Sequence, residues 1–292
     1  MKALLPLLIS IFILAGCVKK IDQPSWIEIS EWEFLPNASL LSEEGELSHN
    51  FSNAWVYANG KLVGVFELPV KLPLLLEGKT RFQILPTVLN NGISATKKAY
   101  PFVQPYDITV DLVKGEKIKI NPFTKHYDEV KFWIEDFEES SLKFENDGTG
   151  SSDLVQASDP SIVKYGSKYG LIALNSTDSQ YNGYTNDSQD IWFQLPKGGA
   201  EVYLEIDYRS TNSLVTGLIE VSNSQIKYHP NIQLNAQDPD GEVVWKKIYI
   251  DLKEIISNTS QAEYYKISLN ATLNSGGIPR DVIIDNVKVL HF

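Results

Sequence analysis

The chain reads as an all-β protein of two domains, and three observations predict this. Its 292 residues suffice for two domains of the usual ~100–150 residues, each with its own core. Beyond the first two dozen residues there is little helical periodicity; short runs rich in Val, Ile, Tyr, Phe and Trp recur between Gly, Asn, Asp and Pro. Several of these runs alternate apolar and polar residues, the period of antiparallel strands with one wet face. A hydrophobic fraction of 43% and a charged fraction of 22% exclude wholesale disorder. The net charge of -11 repels phosphate backbones and argues against a nucleic-acid partner.

The chain opens with Lys2 and an apolar run from Ala3 to Gly16, shorter than the about 20 residues a spanning helix needs. That length with a basic flank is the pattern of a secretory signal, residues 1–16. Its end, Leu14-Ala15-Gly16-Cys17, resembles the lipobox of bacterial lipoproteins. The resemblance implies cleavage before Cys17, lipid attachment on its sulfur, and a tether over 17–25. Several acyl chains, at about 0.8 kcal/mol per buried CH₂, hold a protein on a bilayer almost irreversibly. Position 18 is Val rather than the Asp that retains many lipoproteins in the inner membrane, so the family pattern implies the outer membrane. Surface lipoproteins of the Bacteroidota often carry acids after the Cys; here Lys19-Lys20 come first, which leaves periplasmic or surface facing open.

Residues 26–130 form the first expected domain. Trp55–Ala58 and Lys61–Phe66 flank Asn59-Gly60, a pair that tolerates the positive φ of a type I′ hairpin turn. Strands follow at Leu72–Leu76, Thr80–Leu85, Ile108–Val113 and Lys117–Ile120. Tyr57, Asn59-Gly60-Lys61, Gly64, Pro69 and Glu77-Gly78-Lys79 resemble the turn pattern of PEGA and carboxypeptidase-regulatory-like modules, which implies an Ig-like β-sandwich.

Residues 131–292 form the second. Val202, Leu204 and Ile206 alternate with acids, and Leu214–Val221 is placed beside them. Trp245–Leu252 alternates again, one helical turn covers Lys253–Ser257, and strands at Tyr264–Leu273 and Asp281–Leu290 complete the set. The opening Asp136-Phe137-Glu138, Gly166-Ser167-Lys168-Tyr169-Gly170, the run from Trp245 to Leu252 and the closing Ile283 to Val289 resemble the galactose-binding-like jelly rolls of carbohydrate-binding modules.

The chemistry in the sequence points away from catalysis. Cys17 is the only cysteine and lies in the targeting segment, which removes disulfides and thiol nucleophiles from the mature fold. His49, His126, His229 and His291 lack metal or triad spacing, and no zincin, P-loop or dinucleotide motif occurs. Period 2 places Asp285 on one face with Ile283, Val287 and Val289, and a buried charge needs a partner or a metal. The jelly-roll resemblance implies a structural Ca²⁺ held by Asp136, Glu138 and Asp285; no redox or nucleotide cofactor is implied. Trp192 reads as core, whereas Tyr181 and Tyr184, in the loop-like segment Tyr181–Asn186, are the expected contacts to a ligand or partner. The functional expectation is a non-enzymatic outer-membrane lipoprotein serving as scaffold or accessory subunit of a secretion or uptake assembly. The alternative is a glycan-binding lipoprotein using its jelly roll.

Overall fold

The protein is described by a computed structural model covering residues 23–40, 43–186, 195–223, 225–259, 261–274 and 276–292. Cys17 and its apolar leader, and Trp192, lie outside the described residues. The first half supplies β1 (Ser25–Ile29), β2 (Glu33–Phe34), β3 (Asn53–Ala58), β4 (Lys61–Glu67), β5 (Val70–Leu74), β6 (Gly78–Leu89), β7 (Lys97–Ala99), β8 (Tyr106–Leu112), β9 (Lys117–Ile120) and β10 (Phe123–Thr124). The second supplies β11 (Lys131–Glu135), β12 (Phe144–Asn146), β13 (Leu154–Ala157), β14 (Tyr169–Leu174), β15 (Gln180–Thr185), β16 (Val202–Ser210), β17 (Leu214–Ser222), β18 (Gln225–Leu234) and β19 (Lys246–Asp251), then α1 (Lys253–Asn258), β20 (Tyr264–Thr272) and β21 (Arg280–His291). Among the described residues no helix is long and apolar enough to cross a membrane.

The hairpin forms where the sequence predicts it. Asn59 (φ 49°) and Gly60 (φ 77°) take the two left-handed positions of the turn, and β3 pairs with β4 on one side and β6 on the other. The sheet β4-β3-β6-β7, with β8 also on β6, faces a three-stranded sheet β5-β1-β9. Ile27 and Ile29 of β1, Val56 of β3 and Phe82 and Ile84 of β6 meet in one core.

In the second half, the order β13-β14-β21-β16-β19, with β11 added on β21, makes a six-stranded sheet. It faces the five-stranded sheet β12-β15-β20-β17-β18. Leu204, Ile206, Val282 and Ile284 from the first sheet pack against Leu218, Ile267 and Leu269 from the second. β17 therefore lies in the opposite sheet from β16, between β18 and β20, not beside β16 as the sequence order suggested.

The alternating face of β16 is not wet. Tyr203, Glu205 and Asp207 point away from the jelly-roll core and are buried by the first half of the chain. Tyr203, Tyr249 and Leu290 belong to the same apolar cluster as Ile27 and Phe82. The Tyr100 hydroxyl donates to Glu205, and the Lys98 ammonium reaches Glu201 at 2.8 Å and Asp251 at 2.9 Å. Burial opposes the charge on Glu205, but Lys247 at 2.7 Å, the field of Lys288 and the Tyr100 hydrogen bond hold its carboxyl below the ordinary glutamate value. One face of the jelly roll is thereby taken by its neighbour, and the outer face of the five-stranded sheet carries the exposed Tyr228.

Candidate functional site

That outer face is built by strand alternation. On β20, Tyr265, Ile267, Leu269 and Ala271 enter the core, which turns Tyr264, Lys266, Ser268 and Asn270 outward. On β15, Tyr181 enters the core, and Gln180, Asn182 and Tyr184 turn outward. Cross-strand register then sets the rows. Asn182 lies opposite Asn270, and Tyr184 opposite both Ser268 and Glu145. Lys266 lies opposite Ile219, which lies opposite Tyr228; Tyr264 lies opposite Val221, which lies opposite Ile226.

Ile219 and Val221 are buried although they sit on this outward side, and they form its floor. Above them Tyr228 is 51% exposed and Ile226 62% exposed, an exposed ring and an aliphatic neighbour on one edge strand. The Lys266 ammonium stands 4.4 Å from the centroid of the Tyr184 ring. Burial raises the Tyr184 hydroxyl above its ordinary value, with the fields of Glu145 and Tyr228 adding and Lys266 opposing. The face thus combines aromatic rings with the carboxamides of Gln180, Asn182 and Asn270, above buried Ser268 and Lys266. Flat rings flanked by neutral donors and acceptors suit a ligand with an apolar face and many hydroxyls.

Tyr181 and Tyr184, expected together on a loop, are separated by the strand they occupy. Tyr181 is 0% exposed, and its hydroxyl has no hydrogen-bond partner among the described residues. It is a core residue and presents nothing to a ligand. Gly183 is required beneath it, because an added Cβ would lie 2.1 Å from the Tyr181 hydroxyl oxygen. Gly183 and the surrounding polar residues gave the loop-like signal. Tyr265 is also core, whereas Tyr264 and Tyr184 face outward. Tyr228 and Ile226 escaped the sequence reading because Pro230 interrupts the pattern of β18, a residue tolerated there because β18 is an edge strand.

The acids of the expected calcium site occupy a separate region. Glu138 accepts hydrogen bonds from the Ser167 N–H and Lys168 N–H, each at 2.7 Å, and from the Ser167 hydroxyl at 2.5 Å. Burial works against its ionisation, but these bonds outweigh it and hold Glu138 below the ordinary glutamate value. Gly170 leaves room for the buried Phe137 ring, which a Cβ would meet at 2.5 Å. The two motifs that resemble the jelly-roll family thus brace each other. Asp136 accepts the Glu138 N–H at 3.2 Å.

Asp285 does not share a face with Val287 and Val289. Asn286 takes φ 50°, and the register of β21 on β16 shifts there, so Val287 and Val289 turn into the core. Asp285 instead lies opposite Asp207 on the far side of the sheet. It is 1% exposed; Oδ1 accepts the Asn286 N–H at 2.7 Å and Oδ2 has no hydrogen-bond partner among the described residues. Burial pushes its carboxyl up to about 8; the Asn286 hydrogen bond opposes this, and the fields of Asp207, Glu138 and Asp136 add to it. No three His, Cys, Asp or Glu side chains among the described residues gather into a metal-holding group. Oδ2 of Asp285 is the buried oxygen of the expected set that no described hydrogen bond uses.

Two histidines have partners that sequence spacing did not reveal. His126 Nδ1 meets the Glu44 carboxylate at 2.6 Å in the interior, and His229 Nε2 meets Glu220 at 2.8 Å. Neither pair is joined by a nucleophile or a third ligand in the hydrogen bonds and ion pairs described.

No family model matches the chain, and no curated protein does. Solved structures similar to parts of it include the CBM22-1–GH10 modules of endo-1,4-beta-D-xylanase 10B from Clostridium thermocellum, complexed with xylohexaose. The identity is 15% and the TM-score 0.37, over 54% of this chain and 28% of that one. The chain thus spans little more than a quarter of that protein. A carbohydrate-binding module of the β-sandwich superfamily is similar at 12% identity and TM-score 0.36, over 80% of this chain and 83% of that one. The CBM27-1 module of Caldicellulosiruptor saccharolyticus, in complex with mannohexaose, is similar at 13% identity and TM-score 0.35, over 54% of this chain and 96% of that one.

Proposed function

We propose that the protein binds a glycan on the outer face of its five-stranded sheet. The observation that carries this reading is the exposed Tyr228 beside Ile226, in the same sheet face as Tyr184, Asn182 and Asn270. Rings of this kind stack on the apolar faces of pyranoses, and the carboxamides bond the hydroxyls around them. The reading is preferred to the scaffold expected from sequence, because the exposed ring shares its face with the carboxamides of Gln180, Asn182 and Asn270 and not with a broad apolar patch. Retention of the full chain in native gels containing soluble polysaccharides tests it. Migration unchanged in a broad panel of neutral and acidic polysaccharides contradicts it.

The same proposal carries an anchor and a cation. Lipidation at Cys17 would hold the site at the outer membrane, where a modest affinity suffices because the tether raises the local concentration. A divalent cation would use Asp285 Oδ2, with carbonyl oxygens or water completing the six to eight ligands calcium takes. What supports the cation is charge: Asp285 forms none of the described ion pairs and is surrounded by the fields of three other acids.

A further inference from the structure

A cavity of about 360 Å³ opens at the seam between the two halves of the chain, lined by residues other than those of the outer sheet face. His49, Asn50, Leu89 and Gly92 contribute from the first half, and Lys164, Tyr208, Trp245 and Lys246 are among the contributors from the second. The protein carries a net charge of -11, yet three lysines and no aspartate or glutamate line this cavity. Lys247 is committed: it is buried and reaches Glu205 at 2.7 Å and Asp207 at 3.4 Å. Lys164 lies 3.5 Å from Asp207, and Lys246 is exposed with none of the described ion pairs. The lysines thus outnumber the two carboxylates that face them.

The rest of the wall is aromatic and polar. The Trp245 indole N–H donates to the Ile162 carbonyl at 2.8 Å, which fixes the edge of the ring. Tyr208 is half-buried, burial raises its hydroxyl above the ordinary value, and it takes part in none of the described hydrogen bonds. The volume falls within the range of small-ligand sites. A neutral sugar would use the rings but leave the surplus ammonium unanswered. A bare inorganic anion would answer the ammonium groups but leave the rings idle.

We propose that this seam cavity is a second binding site, for a sugar carrying a carboxylate, of the uronic acid class. The carboxylate pairs with Lys164 and Lys246, the pyranose face lies on Trp245, and the Tyr208 hydroxyl bonds a ring substituent. This site does not rest on the outer-sheet reading. It requires the two halves to stay docked, since each supplies part of the wall.

Calorimetric titration of the full chain with glucuronate and with glucose tests it. Saturable glucuronate binding is expected, at least about tenfold tighter than glucose and weakened by added salt. Lys246→Gln, at an exposed position, is expected to keep the fold and weaken glucuronate binding about threefold to fivefold. Lys164→Gln is expected to weaken it by at least as much, whereas Tyr228→Ala on the outer sheet leaves it unchanged. The absence of saturable glucuronate binding, equal binding of glucose, or wild-type affinity in both lysine variants overturns the proposal. Loss of polysaccharide retention in Tyr228→Ala with glucuronate binding intact separates the two sites.

Discussion

The Ser48 hydroxyl donates a 2.5 Å hydrogen bond to Asp207, 159 residues away, and this contact joins the two halves of the chain through a carboxylate that is 0% exposed. The same carboxylate oxygen accepts from the Asn286 side-chain amide at 3.1 Å and from Lys247 at 3.4 Å. Burial opposes the charge on Asp207, but Lys247, Ser48, Asn286 and Lys164 outweigh it and hold the carboxyl below the ordinary aspartate value.

Asp207→Ala removes the carboxylate oxygen shared by Ser48, Asn286 and Lys247, while Lys247 keeps Glu205 at 2.7 Å and Asn286 keeps the Ser48 hydroxyl at 2.7 Å. The expected cost is about 2–3 kcal/mol, the range for losing hydrogen bonds to a charged group without stranding the ammonium. Ser48→Ala removes the donor to Asp207 and an acceptor for Lys247 and Asn286, each of which keeps Asp207, and should cost about 1–2 kcal/mol. Urea unfolding of the full chain measures both; equal and small losses would show that the seam contributes little to stability.

Asp285 predicts the pH dependence. Its carboxyl lies near 3.8 in the unfolded chain and is pushed up to about 8 in the fold, so the native state takes up a proton. The stability this group contributes is complete below about pH 4 and is lost as pH rises to about 8, a fall on the order of several kcal/mol. Lys288, buried and lowered to about 8, acts only above that value, where stability from this group grows with pH. Asp285→Asn should therefore flatten the slope between about pH 4 and 8, measured by urea midpoints across that range. An unchanged slope would show that Asp285 is ionised in the fold.

Calcium acts on the same carboxylate from the other side. Above about pH 8, millimolar Ca²⁺ should stabilise the full chain, by about 2.7 kcal/mol at a hundred-fold excess over Kd, read as a higher melting temperature. At pH 5 the proton occupies Asp285 and the effect should vanish, as it should in Asp285→Asn at either pH. Identical melting with chelator and with calcium at the higher pH retires the metal.

The anchor is tested without the fold. Cys17→Ala removes the only thiol in the chain, so labelled palmitate should enter the wild type and not the variant. Label in the Cys17→Ala protein would refute lipidation at this residue.

Much of the architecture was legible because local rules decide it. Asn59-Gly60 specifies its turn through positive φ, and the alternation of Val202, Leu204 and Ile206 marks the core side of β16. The fate of the opposite side was not legible. Glu205 and Asp207 look like solvent-facing acids, and only docking of the first half, with Ser48, Tyr100 and Lys247, turns that side into an interior. Asp285 was found as a buried acid but assigned the wrong neighbours, because a single left-handed residue at Asn286 reverses the phase of β21. At the candidate site, Tyr184 lies on the outward side of a strand and not in a loop, Tyr181 belongs to the core, and Tyr228 was hidden by Pro230 on an edge strand.

The central claim, that the outer sheet face binds glycan, is tested most directly by one comparison. Full-length wild type and the Tyr184→Ala/Tyr228→Ala variant are run in native gels with and without the polysaccharide that retards the wild type, and their melting temperatures are measured alongside. Each ring is outward-facing, so the melting temperature should hardly move, while loss of a central stacking ring should cost about 2 kcal/mol, roughly thirty-fold in affinity. Retarded wild type and unretarded variant at equal stability are expected. Equal retardation of both proteins would contradict that claim.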